Sequence, residues 1–352
     1  MMTVGFLPWW PANPYQILLK QELNKRGVRV IGNPPLNLLK ILFRRDGLDV
    51  VHVHWPHGLY LEKVWTFPYI VLVLLLYRLI KNNIVWTVHE LDFYETRFTV
   101  LDRIIRVVLM KTCKALIVHG EHSIREIKQR YGFSRDMVVA RHPSYVGYYA
   151  DTISMCEARK KLGIGADQRV YLFFGYIKPY KGVEELIEAF SAIKDPNNVL
   201  LVAGKPFNDE TKAGIKALAA MDSRVKTEMR YIADDEIQFF MRAADIVVFP
   251  FRRTQTSGSI MLALSYGKPV IAPAIATIPE YVDETMGLLF DLSQPDSLRV
   301  ALEKSASIDL GRLGDAAAQR ANTFSWADMA SRHMRVYKQI MHPGDAAMQD
   351  GD

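Results

Sequence analysis

Cysteine is nearly absent: Cys113 and Cys156 are the only two in 352 residues. That excludes a disulfide framework and a cysteine-built metal cluster, and it fits a reducing, cytoplasmic setting. Long apolar runs are also missing. The most apolar uncharged stretch, residues 64–77, is broken by Pro68 and falls short of the ~20 residues of a bilayer-spanning helix, so no transmembrane anchor is expected. From Met1 the sequence enters an apolar segment with no basic leader and no small-residue cleavage site, and no secretion signal is expected. Spaced His/Cys sets are lacking, so metal ligation is not expected. Zinc spacings, RNP-type aromatic motifs and a helix-turn-helix are absent as well, and nucleic acid is not the expected partner of the +6 net charge.

What is present is 49% hydrophobic and 23% charged residues, the balance of a globular chain too long for one ordinary core. The positive charge is uneven. Residues 1–150 carry 20 Lys and Arg against 11 Asp and Glu, +9, whereas the remaining 202 carry 24 against 27, −3. In the first half the basic residues interleave with large apolar ones, over 36–45 and again over 103–111, as suits an anionic membrane surface. The same segments also read as amphipathic helices packing one face on a sheet, and both readings can hold together.

Short β-branched runs alternate with helical periodicity throughout, which predicts parallel sheets covered by helices on both faces. Strands are expected over 3–7, 28–31, 50–54, 84–88, 115–118 and 137–140, then over 169–174, 199–203, 225–228, 246–249, 269–272 and 287–290. Helices are expected over 15–26, 182–193, 234–243 and 259–266. The fold class is therefore α/β, with two doubly wound, Rossmann-like domains facing across a cleft, residues 1–147 and 167–324. A connector is expected over 148–166 with a short helix at 157–162, then a last amphipathic helix over 325–341 packing back toward the first domain and a disordered tail over 342–352.

Ligands of such folds bind in loops after the carboxyl ends of the strands. In the second half, one such loop reads Gly175-Tyr176-Ile177-Lys178-Pro179-Tyr180-Lys181-Gly182. Its glycines let backbone approach a ligand, and Lys178 and Lys181 stand where a diphosphate meets a helix start. Another reads Pro250-Phe251-Arg252-Arg253-Thr254-Gln255-Thr256-Ser257-Gly258-Ser259. Amides around Ser257, Gly258 and Ser259 would attract a phosphate that Arg252 braces; an ordinary N-cap is the plainer alternative for the serines.

These loops, with His52-Val53-His54-Trp55-Pro56, Thr87-Val88-His89, Val118-His119-Gly120-Glu121-His122-Ser123 and Gly267-Lys268-Pro269-Val270, resemble the nucleotide-sugar glycosyltransferases of the GT-B fold over nearly the whole chain. Together with Asn13-Pro14-Tyr15 and Ser257-Gly258-Ser259 they look more narrowly like the GDP-mannose-dependent β-mannosyltransferases of exopolysaccharide (xanthan-type) assembly. The resemblance implies transfer of a hexose, mannose by preference, to a polyprenyl-diphosphate-linked oligosaccharide, with no cofactor beyond the nucleotide-sugar donor. It places the protein at the cytoplasmic membrane face and Tyr231 to Asp234 near the donor base. Departures exist: the large retaining group carries two glutamates where this chain has Thr254 and Leu262, and an arginine where it has Tyr176. They favour an inverting transfer and leave the ribose contact unidentified. A retaining UDP-sugar transferase and a catalytically silent nucleotide-sugar-binding subunit are the two alternatives.

An inverting transfer needs a base for the acceptor hydroxyl. The loop after the fourth strand, Thr87 to Glu95, offers Glu95 or Asp92 as that base and His89 as a donor to sugar or phosphate; otherwise Glu90 and Asp92 simply begin a helix. His52 reads as a buried core histidine, and His54 or Trp55 as an acceptor contact. The Pro8-Trp9-Trp10-Pro11 loop reads as a platform for a sugar ring or interfacial lipid.

Overall fold

A computed structural model describes residues 1–33, 47–92 and 98–342. The chain divides into two compact units, Met1–His142 with Ser325–Asp352, and Pro143–Phe324.

The first unit is built on six parallel strands: β1 (Met2–Leu7), β2 (Val28–Gly32), β3 (Val50–Val53), β4 (Ile84–Val88), β5 (Ala115–Val118) and β6 (Asp136–Val139), in the order β2-β1-β3-β4-β5-β6. The second repeats the plan with β7 (Arg169–Phe174), β8 (Asn198–Ala203), β9 (Val225–Glu228), β10 (Ile246–Val248), β11 (Val270–Pro273) and β12 (Gly287–Phe290), in the order β12-β11-β10-β7-β8-β9. All twelve coincide with expected strands within a residue at each end. The central strands β4, β5, β8 and β10 are buried along their whole length because helices cover both faces, and continuous apolar runs are what such strands require.

Local chemistry sets the helix limits. Helix Pro14–Lys25 starts where the Asn13 side chain accepts from the Tyr15 amide and proline occupies the first position. Helix Met155–Leu162 opens on a Ser154/Glu157 capping box and closes on Gly163 at φ +61°. The expected helix over 182–193 begins one residue later, at Val183, because Gly182 lies at φ +70° outside helical space. The expected helix over 234–243 begins at Ile237.

The unit boundary falls at Pro143, earlier than residue 147, and the expected connector is part of the second unit. Ser144 donates from its amide to the Phe324 carbonyl at 3.0 Å, and the Tyr145 amide donates to Ser265 Oγ at 2.8 Å. Within the helix that follows, buried Arg159 binds Asp245 at 2.7 Å and the Ala243 carbonyl at 3.2 Å, which ties residues 155–162 to the sheet. The last helix, Trp326–Met341, belongs to the first unit: Arg332 donates to the Val139 carbonyl at 3.0 Å and Gln339 to Asp136 at 2.9 Å. Of the expected tail, residues 343–352 lie outside the described residues, as does the basic-apolar segment 36–45.

Candidate functional site

In the second unit the chain steps from β7 to β8 and β9 on one side of the sheet, then returns to place β10 on the other side of β7. The loops after β7 and β10 therefore part at a switch point, the crevice where doubly wound sheets hold ligands. Those are the two loops picked out as phosphate-compatible. They converge: a Cβ built on Gly175 would lie 3.1 Å from Ser259 Oγ and 3.6 Å from Lys181 Nζ. Gly175 (φ +132°) leaves this space open, and the Arg252 amide donates to the Tyr180 carbonyl at 2.9 Å, joining the loops directly.

Gly182 packs so closely on the second loop that a Cβ there would sit 2.0 Å from the Pro250 carbonyl oxygen. A further anchor comes from the loop after β8, where the Ile177 amide donates to the Lys205 carbonyl at 2.9 Å. Lys181 Nζ lies 5.4 Å from the Phe251 ring centre, and Lys178 Nζ 5.7 Å from that of Tyr180. Ser257 caps helix Gly258–Ser265, its Oγ accepting from the Ile260 amide at 3.4 Å, so the plain reading holds for Ser257 while Ser259 faces the glycine.

Arg252 is ion-paired with Glu185 on helix Val183–Ser191, so it must exchange that partner before it can brace a phosphate. Tyr231 is exposed and its hydroxyl pKa is raised, first by partial burial, then by Asp234 and by Tyr176. Two aromatic rings thus stand near each other beside the loop. Leu262 is buried in the core and Thr254 Oγ1 donates to the Thr256 carbonyl at 3.0 Å, so neither stands in for a glutamate. A cavity of about 460 Å³ lined by Asp245, Lys268 and Pro269 opens at the amino ends of β10 and β11, away from this crevice.

The first unit has its switch point between β1 and β3. There the Pro8-Trp9-Trp10 loop is pinned by Asn33, which accepts from the Trp9 amide at 2.7 Å, and by Gln16, which accepts from the Trp10 amide at 2.8 Å. Trp10 stacks on Trp55 (centroids 4.9 Å apart), and Trp55 stacks on His89 (3.9 Å, 14° between planes). Gly58 makes room for this: a Cβ there would lie 2.7 Å from Trp10 Cζ2.

His54, His89 and His119 each follow directly the last residue of β3, β4 and β5, so neighbouring strands set three imidazoles side by side. His89 Nε2 is 3.3 Å from His54 Nδ1 and His89 Nδ1 is 3.3 Å from His119 Nε2. Both His89 nitrogens are thereby engaged, and a direct hydrogen bond to sugar or phosphate requires one of these to break. His52 is enclosed between Tyr337 (2.6 Å) and Thr87 (2.7 Å), the core role expected of it. Burial holds His52, His54 and His89 well below the ordinary histidine pKa, so the row is neutral near pH 7.

Asp92 is clasped by Arg106 at 2.7 Å and Arg130 at 2.8 Å. The Arg130 bond foremost lowers its pKa, and that arrangement fits an anchor of the helices better than a proton acceptor. Glu95, the other candidate base, lies outside the described residues. The sequence reading missed the histidine row as a unit; its only linear signal is a histidine directly after each of three consecutive strands.

Residues 155–318 match the family model described as Glycosyl transferases group 1. A GDP-mannose:glycolipid 4-beta-D-mannosyltransferase of Xanthomonas campestris pv. campestris is 26% identical over 85% of this chain and 82% of its own length. A D-inositol 3-phosphate glycosyltransferase of Corynebacterium glutamicum is 27% identical over 93% and 80%. The sucrose-phosphate synthase structure from Thermosynechococcus elongatus superposes with a TM-score of 0.77 at 16% identity, covering 98% of this chain and all of that one. Sheet order, crevice and matched domain define the class: the protein is a glycosyltransferase of the GT-B fold. Within that class it resembles the GDP-mannose:glycolipid mannosyltransferases.

Proposed function

We propose that the protein transfers mannose from GDP-mannose, with inversion, to a lipid-linked oligosaccharide, and that it does so at the cytoplasmic membrane face. The observation that carries the donor half is the convergence of Lys181 and Ser259 on the open space above Gly175, at the switch point of the second sheet. There a diphosphate meets an ammonium, a hydroxyl and helix-terminal amides, which offset the charge that develops on the leaving nucleotide. Lys178 and Arg252 add charge at the rim, and Tyr176 with Tyr231 offers aromatic faces to the base.

Calorimetry with GDP, UDP, dTDP and ADP tests this reading. Selective GDP binding is the expected result; preference for UDP shifts the assignment to a retaining UDP-sugar transferase of the same fold, and no binding to any of them leaves a silent subunit. With Glu95 as the base, Glu95→Gln should retain GDP binding and lose turnover to a β-linked product, and unchanged turnover removes that role.

The acceptor half rests on the first unit. Its Trp10-Trp55-His89 stack presents an aromatic surface for a sugar ring. Helices Phe67–Ile80 and Thr99–Thr112 pack together and leave apolar stripes exposed, Leu72, Leu75 and Leu79 on one, Val100, Ile104 and Val107 on the other. Leu79, at the end of the first of these helices, is 82% exposed and Trp65, just before its start, 76%, values unusual for such side chains unless a surface covers them. Lys63, Arg103 and Lys111 are exposed on the same segments, the pattern of a helix pair lying in an anionic interface. No helix among the described residues is long and apolar enough to cross a membrane. Leu72→Asp with Leu79→Asp should reduce cosedimentation with phosphatidylglycerol vesicles at least tenfold, and undiminished binding rejects this face.

A further inference from the structure

Lys268 stands in the turn that leads into β11 and is only 7% exposed. A lysine is rarely buried so far without a carboxylate partner. Its Nζ makes one hydrogen bond, to the Ala244 carbonyl at 2.7 Å, although an ammonium has three protons to give. The two carboxylates that act on it are both committed elsewhere. Asp245 binds Arg159 and accepts from the Val170 amide, each at 2.7 Å. Asp151 has both its oxygens on Arg242. Among the described residues no carboxylate is ion-paired with Lys268.

This side chain lines the cavity of about 460 Å³ at the amino ends of β10 and β11. The phosphate-compatible loops stand at the carboxyl ends of the same sheet, so whatever happens in the cavity is separate from the proposed donor site. The charged and titratable groups around Lys268 come from several elements. Asp151 lies just before helix Met155–Leu162, Arg242 at the end of helix Ile237–Ala243, and Asp245 directly before β10. Tyr266, after helix Gly258–Ser265, is tied by its hydroxyl to the Ala150 carbonyl at 2.6 Å. Helix Leu310–Asn322 contributes Asp315, which is exposed, and Gly311 and Gly314, which bring no side chain into the space. At ~30 Å³ for each water the cavity has room for roughly fifteen, and therefore for a molecule the size of acetyl phosphate.

We propose that Lys268 is a modification site, a nucleophilic lysine that takes an acyl group from small acyl phosphates entering this cavity. The neutral amine attacks the acyl carbon, and the N–C bond forms as the C–O bond to phosphate breaks. Phosphate leaves with the bonding electron pair, and the surplus proton of the amine goes to water. Arg242, on the same cavity, has one guanidinium nitrogen left after Asp151 to meet the phosphate.

The surroundings favour the reactive form. Burial penalises the ammonium and Arg242 adds like charge, which together push Lys268 down to about 8 against the opposing pull of Asp245 and Asp151. At pH 7.5 about a quarter of Lys268 is then neutral, against roughly 0.1% of an ordinary lysine. A less basic amine is also a weaker nucleophile, and a trade of the kind thiols show takes back roughly tenfold. A net advantage of about tenfold remains.

The test uses the full chain and acetyl phosphate. Protein held at pH 7.5 is sampled over time, and acetylation of each lysine is followed by peptide mass spectrometry. Lys268 should acetylate about tenfold faster than the exposed Lys194 and Lys304. Its rate should level off above pH 8 while theirs continue to climb, and in denaturant its advantage should vanish, because an unfolded chain restores water to the amine. A rate no higher than that of Lys194 and Lys304 in the folded protein overturns the proposal, and so does an advantage that persists in denaturant.

Discussion

Lys181→Ala is expected to lower kcat/KM by roughly 10²–10³-fold, the usual consequence of removing one preorganised group that meets developing charge in a transfer reaction. Lys181 Nζ and Ser259 Oγ both border the space over Gly175, and the lysine brings a full charge to it. The lysine lies in a short turn whose backbone bond, Lys181 amide to Lys178 carbonyl at 2.9 Å, does not depend on the side chain. The melting temperature should accordingly stay within a few degrees of the parent. A kinetic comparison with a melting curve on the same preparation checks this: retained full turnover removes Lys181 from the site, and loss of the fold removes it from the chemistry.

Gly182→Ala should act by another route and on both properties. A left-handed backbone conformation disfavours an L-residue by roughly 1–2 kcal/mol, and the new methyl would also meet the Pro250 carbonyl oxygen at 2.0 Å, well inside van der Waals contact. Relief requires the loop after β7 to move away from the loop after β10, and those are the two walls of the proposed donor crevice. Several degrees of melting temperature and at least tenfold in nucleotide affinity should be lost together. Gly27→Ala is the control: at φ +79° it carries the same backbone strain but has nothing within 4 Å. If the two variants lose the same stability and the Gly182 variant binds nucleotide normally, the close approach is unimportant.

The histidine row and the phosphate loops differ in how far they could be read in advance. Gly175, Lys181 and Gly182 lie within one loop of the chain, so their joint meaning is local and survives without coordinates. His54, His89 and His119 are far apart along the chain and become one row only when β3, β4 and β5 pair in register. His89 was expected to donate to a ligand, and nothing in its linear neighbourhood tells that His54 and His119 occupy both its nitrogens. Asp92 likewise reads as a free carboxylate until helices Thr99–Thr112 and Glu121–Tyr131 bring Arg106 and Arg130 to it. Arg252 reads as free until Glu185 arrives from the neighbouring helix.

Hydrophobic periodicity, glycine positions and charge by themselves determined twelve strands, two doubly wound units and the two phosphate-compatible loops that converge at Gly175. Burial on both faces of a parallel sheet demands unbroken apolar runs, and a phosphate-compatible turn demands glycine and cation within a few residues. Tertiary structure alone decided where one unit ends, which charges are already paired and which buried histidines stand side by side. Those properties depend on contacts between residues distant in the chain, and a hydrogen bond or ion pair exists only when both partners reach the same few ångströms.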